Sequence, residues 1–205
     1  PSPFHVLATQ NPVEMEGTYP LPEAQLDRFL FKLTVNFPDR AALVEISRRT
    51  TGTETARIEK ILTGSDLVGF QSVAREVVLA EPLAGYAADL ILATHPSRSP
   101  VSRVAKCIAY GASPRGHQAL VRGARVLALL EGRTSVGVSD LQKIAKPALR
   151  HRLLLNFDGE AAGEEPDSLI DELLDSVPTP GGPKSGKTAS CHGDESPRSV
   201  RYRIS

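Results

Sequence analysis

The sequence contains only two cysteines, Cys107 and Cys191, among its 205 residues. Two cysteines do not make the disulfide framework of a small secreted protein or a zinc site, so we expect a reducing, cytoplasmic location. Lys+Arg and Asp+Glu both number 24, and this zero net charge gives no reason to expect nucleic acid as a partner. No apolar run approaches the roughly 18 residues that a membrane-spanning helix needs, so we expect no membrane span.

The sequence also lacks an initiator methionine and the apolar stretch of an N-terminal signal peptide. Its first residue is proline, which fits a fragment of a longer protein as well as a processed or trimmed chain. We therefore expect other parts of the protein to precede Pro1.

The first 49 residues have the pattern of strand, helix, strand and helix. The apolar run "FHVLAT" at 4–9 predicts a buried strand, and the alternating "FKLTV" at 31–35 predicts a second one. Asp39 is placed to cap a helix over 40–49. Two strands are too few for an independent sheet, so we expect residues 1–49 to be the last part of a larger α/β domain.

A linker and a helical region follow. Residues 50–64 are polar and rich in Thr and Gly, which predicts a linker. Apolar residues then recur with helical spacing from 65 to 176, which predicts a small all-α bundle. Its clearest helix begins at Ser113, a cap followed by proline in the first helical position. We expect two further helices to begin after serine caps, at Ser65 and Ser139.

From residue 177 onward Gly, Pro, Ser and charged residues dominate, which predicts a disordered tail over 177–205. The tail contains a match to the P-loop pattern, Gly181 to Thr188. A working P-loop needs a buried strand before it and a helix after it. Here a helical pattern and two prolines precede the match and no apolar face follows, so we interpret it as a solvated linker. A nucleotide site in the tail is the alternative, to be tested with Lys187→Ala.

Three polar residues are candidates for a functional site. Asn11 follows the first predicted strand, at the edge where open α/β sheets bind ligands, although Asn-Pro is also a common turn. Arg28 lies between a predicted helix and strand, where it either projects into a site or pairs with Asp27 or Glu23. Arg115 lies in the first turn of a helix, where a cation opposes the helix dipole. That position suggests an anionic partner, the alternative being an ordinary exposed arginine.

Three stretches of the sequence resemble the MoxR family of AAA+ ATPases: "ATQNPVEMEGTYPLPEAQLDRFLFKL" (8–33), "YGASPRGHQALVRGARVLALLEGR" (110–133) and "ALRHRLLLNFDGEAAG" (148–163). The similarity extends from about residue 3 to 177, in the family's order and spacing. It implies that residues 1–49 are the C-terminal part of the AAA+ α/β nucleotide-binding core. It also implies that residues 65–176 are the AAA+ helical lid.

The resemblance also implies roles for the three candidates. Asn11 corresponds to sensor 1, Arg28 to the arginine finger that enters the neighbouring subunit's site, and Arg115 to sensor 2, which reaches from the lid to the nucleotide. ATP and Mg²⁺ would be the cofactors of the complete protein, which would form a homo-oligomer, a hexameric ring. Its partners would be proteins with von Willebrand factor A domains.

Members of this family carry their P-loop and Mg²⁺-binding Asp-Glu pair upstream of sensor 1. We therefore expect these 205 residues to bind no nucleotide tightly and to be inactive alone. The resulting prediction is the C-terminal fragment of a chaperone-like motor that couples ATP hydrolysis to the maturation or activation of partner proteins. The alternative is a non-catalytic helical interaction module, and the sequence upstream of Pro1 would distinguish the two.

Overall fold

A computed structural model of the chain describes residues 3–10, 21–52 and 59–181 and the backbone of 201–204. The helices in these ranges are α1 (Glu23–Leu26), α2 (Arg40–Thr50), α3 (Gly64–Glu76), α4 (Glu81–Ala93), α5 (Ser102–Cys107), α6 (Pro114–Leu130), α7 (Val138–Leu149), α8 (Phe157–Ala161) and α9 (Pro166–Ser176). The strands are β1 (Thr9–Gln10), β2 (Leu33–Asn36), β3 (Ile108–Tyr110), β4 (Leu154–Leu155) and β5 (Arg201–Ile204). Among the residues described, no helix is both long and apolar enough to cross a membrane.

The hydrophobic core lies in the helical part of the chain. Its largest fully buried apolar side chains come from α4 to α7 and α9: Tyr86, Leu90, Val104, Leu120, Leu141, Leu149, Leu169, Ile170 and Leu173. These side chains recur with helical spacing in the sequence, so that each helix presents one apolar face to a common centre. The helical prediction for residues 65–176 is confirmed, but the all-α prediction is wrong in one place, because β3 pairs with β4 in a two-stranded antiparallel sheet.

Helix α6 begins as the sequence predicts. The hydroxyl oxygen of Ser113 accepts a hydrogen bond from the backbone N–H of Arg115 at 3.1 Å, and Pro114 occupies the first turn. The approach to this helix is held by Thr94, whose buried hydroxyl accepts a hydrogen bond from the backbone N–H of Ala112 at 2.9 Å. The start of α6 is therefore fixed to the end of α4.

The predicted caps Ser65 and Ser139 are wrong. Thr63 caps α3, since its hydroxyl accepts from the N–H of Asp66 at 3.2 Å while the Asp66 carboxylate accepts from the N–H of Thr63 at 2.8 Å. Ser139 lies inside α7, whose N-cap is Gly137. In both helices an aspartate three residues after the true cap accepts a hydrogen bond from the backbone N–H of that cap, Asp66 from Thr63 and Asp140 from Gly137 at 2.7 Å, and so selects the earlier residue.

The α/β part differs from its prediction in one strand and agrees in the other. Strand β2 and helix α2 form as expected, with Asp39 Oδ1 accepting from the N–H of Ala42 at 2.8 Å. The run 4–9 is not a buried strand, because only its end at Thr9 pairs, and Phe4 is 81% exposed. Val6 and Leu7 of the same run are also exposed, so its large apolar side chains are not covered.

Strands β1 and β2 are not neighbours, since β5 lies between them and is antiparallel to both. Ile204 of β5 is opposite Thr9 on one side and opposite Leu33 on the other. The prediction of a disordered tail is therefore wrong for 201–204, whose backbone groups pair with two strand edges. It also begins too early, because Val177 continues the apolar face of α9 and is buried. Most of the tail, including the P-loop-like match beyond Gly181, lies outside the described residues.

Candidate functional site

An open cavity of about 580 Å³ lies between the turn at 27–30 and the exposed face of α6. Its walls are residues 4–6, the turn 27–30, four residues of α6 (Arg115, Gln118, Ala119 and Arg122) and Arg152. These residues include four arginines but one carboxylate, that of Asp27. A concave surface with this excess of positive charge attracts anions.

Arg28 lies directly after α1, in a turn where its N–H donates to the carbonyl of Gln25 at 3.1 Å. Its side chain is exposed and, within the part of the chain that the structure describes, makes no hydrogen bond or ion pair. The ion pairs with Asp27 or Glu23 that its sequence neighbours suggested do not form, because Asp27 is engaged by other residues. The guanidinium of Arg28 is therefore available to a ligand in the cavity.

Arg115 projects from the first turn of α6 into the same cavity. Nη1 of Arg115 lies 3.1 Å from Oδ2 of Asp27, and its side chain remains 52% exposed. This carboxylate offsets the unfavourable position of a cation at a helix N-terminus. Arg115 keeps most of its hydrogen-bonding capacity for another anion, since it has five N–H donors.

Asp27 is the negative centre of the site. Burial by itself would raise the pKa of Asp27, but hydrogen bonds from Ser113, Arg115 and Arg152 outweigh burial and lower it. The hydroxyl of Ser113 lies 2.9 Å from both carboxylate oxygens. The Asp27 carboxylate is therefore ionised at neutral pH and ties the turn at 27–30 to the N-terminus of α6.

Two residues of this wall were missed from the sequence, Gln118 and Arg122. They follow Arg115 by three and seven positions, a spacing that places all three side chains on one face of a helix. This spacing is a signal that the sequence itself contains. Arg122 is exposed and has no ion-pair partner within the described part of the chain, so it adds a second available guanidinium.

Arg152 differs from the other arginines of the cavity, because its side chain is only 2% exposed. Its Nε donates to Asp27 Oδ1 at 3.0 Å, and its Nη2 donates to the carbonyls of Asp27 at 2.8 Å and Phe29 at 2.6 Å. The adjacent His151 also points to this turn, with Nε2 at 3.2 Å from the carbonyl of Phe29. These contacts use the donors internally, so neither side chain is a ligand for an anion.

His151 has its pKa lowered to about 4, first by burial and then by the charge of Arg152. Arg150 and Arg152 flank His151 in the sequence, but desolvation dominates the shift, and Arg150 points away to form an ion pair with Asp167 at 2.9 Å. The imidazole is therefore neutral at physiological pH, with its Nε2 proton on the carbonyl of Phe29.

Two family models match the chain: the AAA lid domain over residues 101–173, and the ATPase family associated with various cellular activities (AAA) over residues 1–31. The chain is 40% identical to the chaperone MoxR1 of Mycobacterium tuberculosis, over 88% of this chain and 48% of MoxR1. It is 35% identical to the protein MoxR of Paracoccus denitrificans, over 86% of this chain and 56% of that protein. The chain belongs to the MoxR family of AAA+ ATPases.

A crystal structure of a protein from Cytophaga hutchinsonii that is assigned as an ATPase has the same fold. It superposes with a TM-score of 0.81 at 37% identity and covers 87% of this chain and 55% of that one. This MoxR-family chain spans about half the length of the curated relatives it matches. The matched AAA lid domain includes the whole of α6 and the segment that carries Arg152.

The structure thus brings together two of the three residues that the sequence singled out. Arg28 and Arg115 line one cavity of this MoxR-family chain. Asn11 lies outside the described residues, so its role as sensor 1 stays a prediction. Among the residues described, no group of three or more His, Cys, Asp or Glu side chains could hold a metal ion.

Proposed function

We propose that this chain is the C-terminal portion of a MoxR-type ATPase and that its arginine-lined cavity faces the phosphate groups of ATP. The observation that carries the proposal is the convergence of Arg28, Arg115 and Arg122 on one cavity. All three are exposed, and Arg28 and Arg122 have no partner within the described part of the chain. Arginine suits this ligand because its planar fork donates two parallel hydrogen bonds to phosphate oxygens.

Bound ATP would supply a phosphoryl group that can be transferred to water. Arg28, as the arginine finger, would place positive charge on the γ-phosphate oxygens, where negative charge must be stabilised in the transition state. Arg115, as sensor 2, would hold the phosphates from the helical lid, with Gln118 and Arg122 beside it on α6. Asn11, as sensor 1, would orient the attacking water.

Both arginines would approach the same nucleotide, because they line the same cavity. We propose that this nucleotide is held by the neighbouring subunit of a hexameric ring, so that hydrolysis requires assembly. Coupling of this site to the helical lid would let the ring act as a cytoplasmic, chaperone-like motor on partner proteins, among them proteins with von Willebrand factor A domains.

The first test is the coding sequence upstream of Pro1. We expect a G-x-x-x-x-G-K-[ST] motif after an apolar strand, followed by an apolar run that ends in Asp-Glu. A start codon close to Pro1 would exclude a complete ATPase in this polypeptide. Turnover of ATP by the 205-residue chain alone would also contradict the proposal.

The second test is the steady-state ATPase rate of the complete protein. Arg28→Ala should lower kcat by about 10³-fold or more, the order lost when an arginine finger is absent, while nucleotide affinity changes little. Arg75→Ala is the matched control, since Arg75 is an exposed arginine at the end of α3, outside the cavity. Equal rates for Arg28→Ala and Arg75→Ala would refute the proposed site.

A further inference from the structure

Arg28 lies in a segment that has little regular structure of its own. Helix α1 before it has only four residues, and β2 begins five residues after it, at Leu33. A helix of one turn is marginal in isolation because the cost of nucleation is not recovered. The direction in which Arg28 points must therefore be set by contacts with another part of the chain.

Those contacts come from Arg152. Each of its five N–H groups has an acceptor: Asp27 Oδ1 and the carbonyls of Asp27, Phe29, Leu30 and Ala148. Four of these five acceptors belong to the turn at 27–30. The carbonyls of Asp27 and Phe29 lie on either side of Arg28, at 2.8 and 2.6 Å from the same Nη2.

The two residues before Arg152 extend the same attachment along the segment. His151 Nε2 donates to the carbonyl of Phe29 at 3.2 Å. Arg150 Nη1 donates to the hydroxyl of Thr34 at 2.9 Å and to the carbonyl of Lys32 at 3.2 Å. Residues 150–152, which we call the basic triplet, therefore hold the segment 27–34 against the helical core.

The triplet is itself firmly anchored. It follows α7 directly, whose last residues Ala148 and Leu149 are buried in the core. Arg150 is fixed by a bidentate ion pair with Asp167 of α9, with Nε and Nη2 each at 2.9 Å from a carboxylate oxygen. A guanidinium whose N–H groups are all hydrogen-bonded inside the protein, as in Arg152, has little freedom to move. It has no donor left for a ligand.

We infer that Arg152, supported by His151, is a positioning residue that sets the direction of Arg28 relative to Arg115. The contacts of Arg152 do not depend on the proposed function. Only their consequence rests on it, namely that Arg28 and Arg115 are placed on one phosphate chain. It follows that movements of the helical lid carry Arg28 with them. Asp27 completes the connection, because one carboxylate binds both Arg152 and Arg115.

The experiment compares Arg152→Lys with Arg103→Lys, a control in which another interhelical arginine, paired with Glu164 and Glu172, is changed in the same way. Lysine keeps the charge but not the planar fork that reaches several carbonyls. Hydrogen exchange is measured on the 205-residue chain. We expect Arg152→Lys to speed exchange of the amides of Arg28, Phe29 and Lys32 by at least about tenfold, and Arg103→Lys to leave them unchanged.

The kinetic arm uses the complete ATPase. Arg152→Lys should lower kcat by about tenfold to a hundredfold, the loss expected from a misplaced catalytic group, with nucleotide affinity nearly unchanged. His151→Phe should have a smaller effect in the same direction, and His151→Gln, whose amide can donate to Phe29, should restore the rate. A structural role alone would not produce this rescue or separate kcat from affinity.

The outcomes separate the two proposals. If Arg28→Ala abolishes hydrolysis but Arg152→Lys changes neither kcat nor the exchange of residues 28–32, the positioning role is refuted and the proposed function stands. If Arg28→Ala retains hydrolysis, the proposed function is refuted, and the exchange data alone decide whether Arg152 holds the segment.

Discussion

Asp27 and Arg115 lie 88 positions apart in the sequence and form an ion pair in which Oδ2 is 3.1 Å from Nη1. The other carboxylate oxygen of Asp27 accepts from Arg152 at 3.0 Å, so one acidic group joins the turn at 27–30, the start of α6 and the end of α7. Arg115 is half-exposed, so its ion pair with Asp27 is partly solvated and contributes little free energy. Arg115 can therefore leave Asp27 and bind a phosphate at a small cost in free energy. The pair thus keeps Arg115 at the cavity without occupying it fully.

Asp27→Asn should destabilise the protein strongly. The substitution removes the charge that faces Arg152, whose side chain is only 2% exposed, and an uncompensated buried charge costs about 3 kcal/mol or more. The free energy of unfolding, measured by urea denaturation, should fall by about that amount. Glu45→Gln is the control, because Glu45 pairs with the exposed Arg48 and Arg49, and such pairs contribute about 0–1 kcal/mol. Similar losses for both variants would show that the Asp27 pairs are not buried in solution.

The stability of the protein should fall between pH 6.5 and 4 because of His151. Burial lowers its pKa from 6.5 to about 4 in the folded state, so across this interval the unfolded chain binds a proton that the folded chain does not. The contribution is complete above pH 6.5 and is lost as the pH falls to 4, by about 3 kcal/mol in total, since one pKa unit is about 1.4 kcal/mol.

Urea midpoints at pH 7, 5.5 and 4.5 measure this loss, and His151→Gln provides the comparison. Glutamine keeps a donor for the carbonyl of Phe29 but does not titrate. The variant should therefore have a flatter dependence of stability on pH over the same interval. Equal slopes for the two proteins would mean that His151 is solvated in the folded state.

Mixed rings test whether Arg28 and Arg115 serve the same nucleotide of the neighbouring subunit. In the complete protein, Arg28→Ala mixed with a P-loop-inactive subunit should regain activity, as should Arg115→Ala, because each subunit supplies what the other lacks. Arg28→Ala mixed with Arg115→Ala should regain none, since every donated pair of arginines is then defective. Recovery in that third mixture would place Arg115 on its own subunit's nucleotide and Arg28 on its neighbour's.

Local signals predicted several of the individual elements. Helix α6 was predicted because a serine cap, a proline in the first turn and an apolar period all agree. Arg28 and Arg115 were singled out separately, each from its position at the end of an element. Their common cavity was not predictable, because it depends on Arg152 binding backbone carbonyls, and carbonyl acceptors leave no pattern in a sequence.

The strand arrangement shows a second limit. The tail was predicted to be disordered because residues 177–205 lack hydrophobic periodicity, yet 201–204 pair with both β1 and β2. Such pairing is made by backbone groups and depends on two strand edges that face each other, which local composition does not encode. The mistaken strand at 4–9 has the same origin, since an apolar run is buried only if other elements cover it.

Gly123→Ala should show that Phe31, just beyond the turn that carries Arg28, packs against α6. A methyl group at position 123 would lie 2.7 Å from Cγ2 of Ile144 and 2.7 Å from Cζ of Phe31. The crowding should lower the free energy of unfolding by about 1–3 kcal/mol, although alanine favours a helix. Gly85→Ala, where no atom lies within 4 Å of the added methyl, should instead raise it by up to about 1 kcal/mol. If both variants gain stability, Phe31 does not pack on α6 in solution, and the segment that carries Arg28 packs at a different position on the helical bundle.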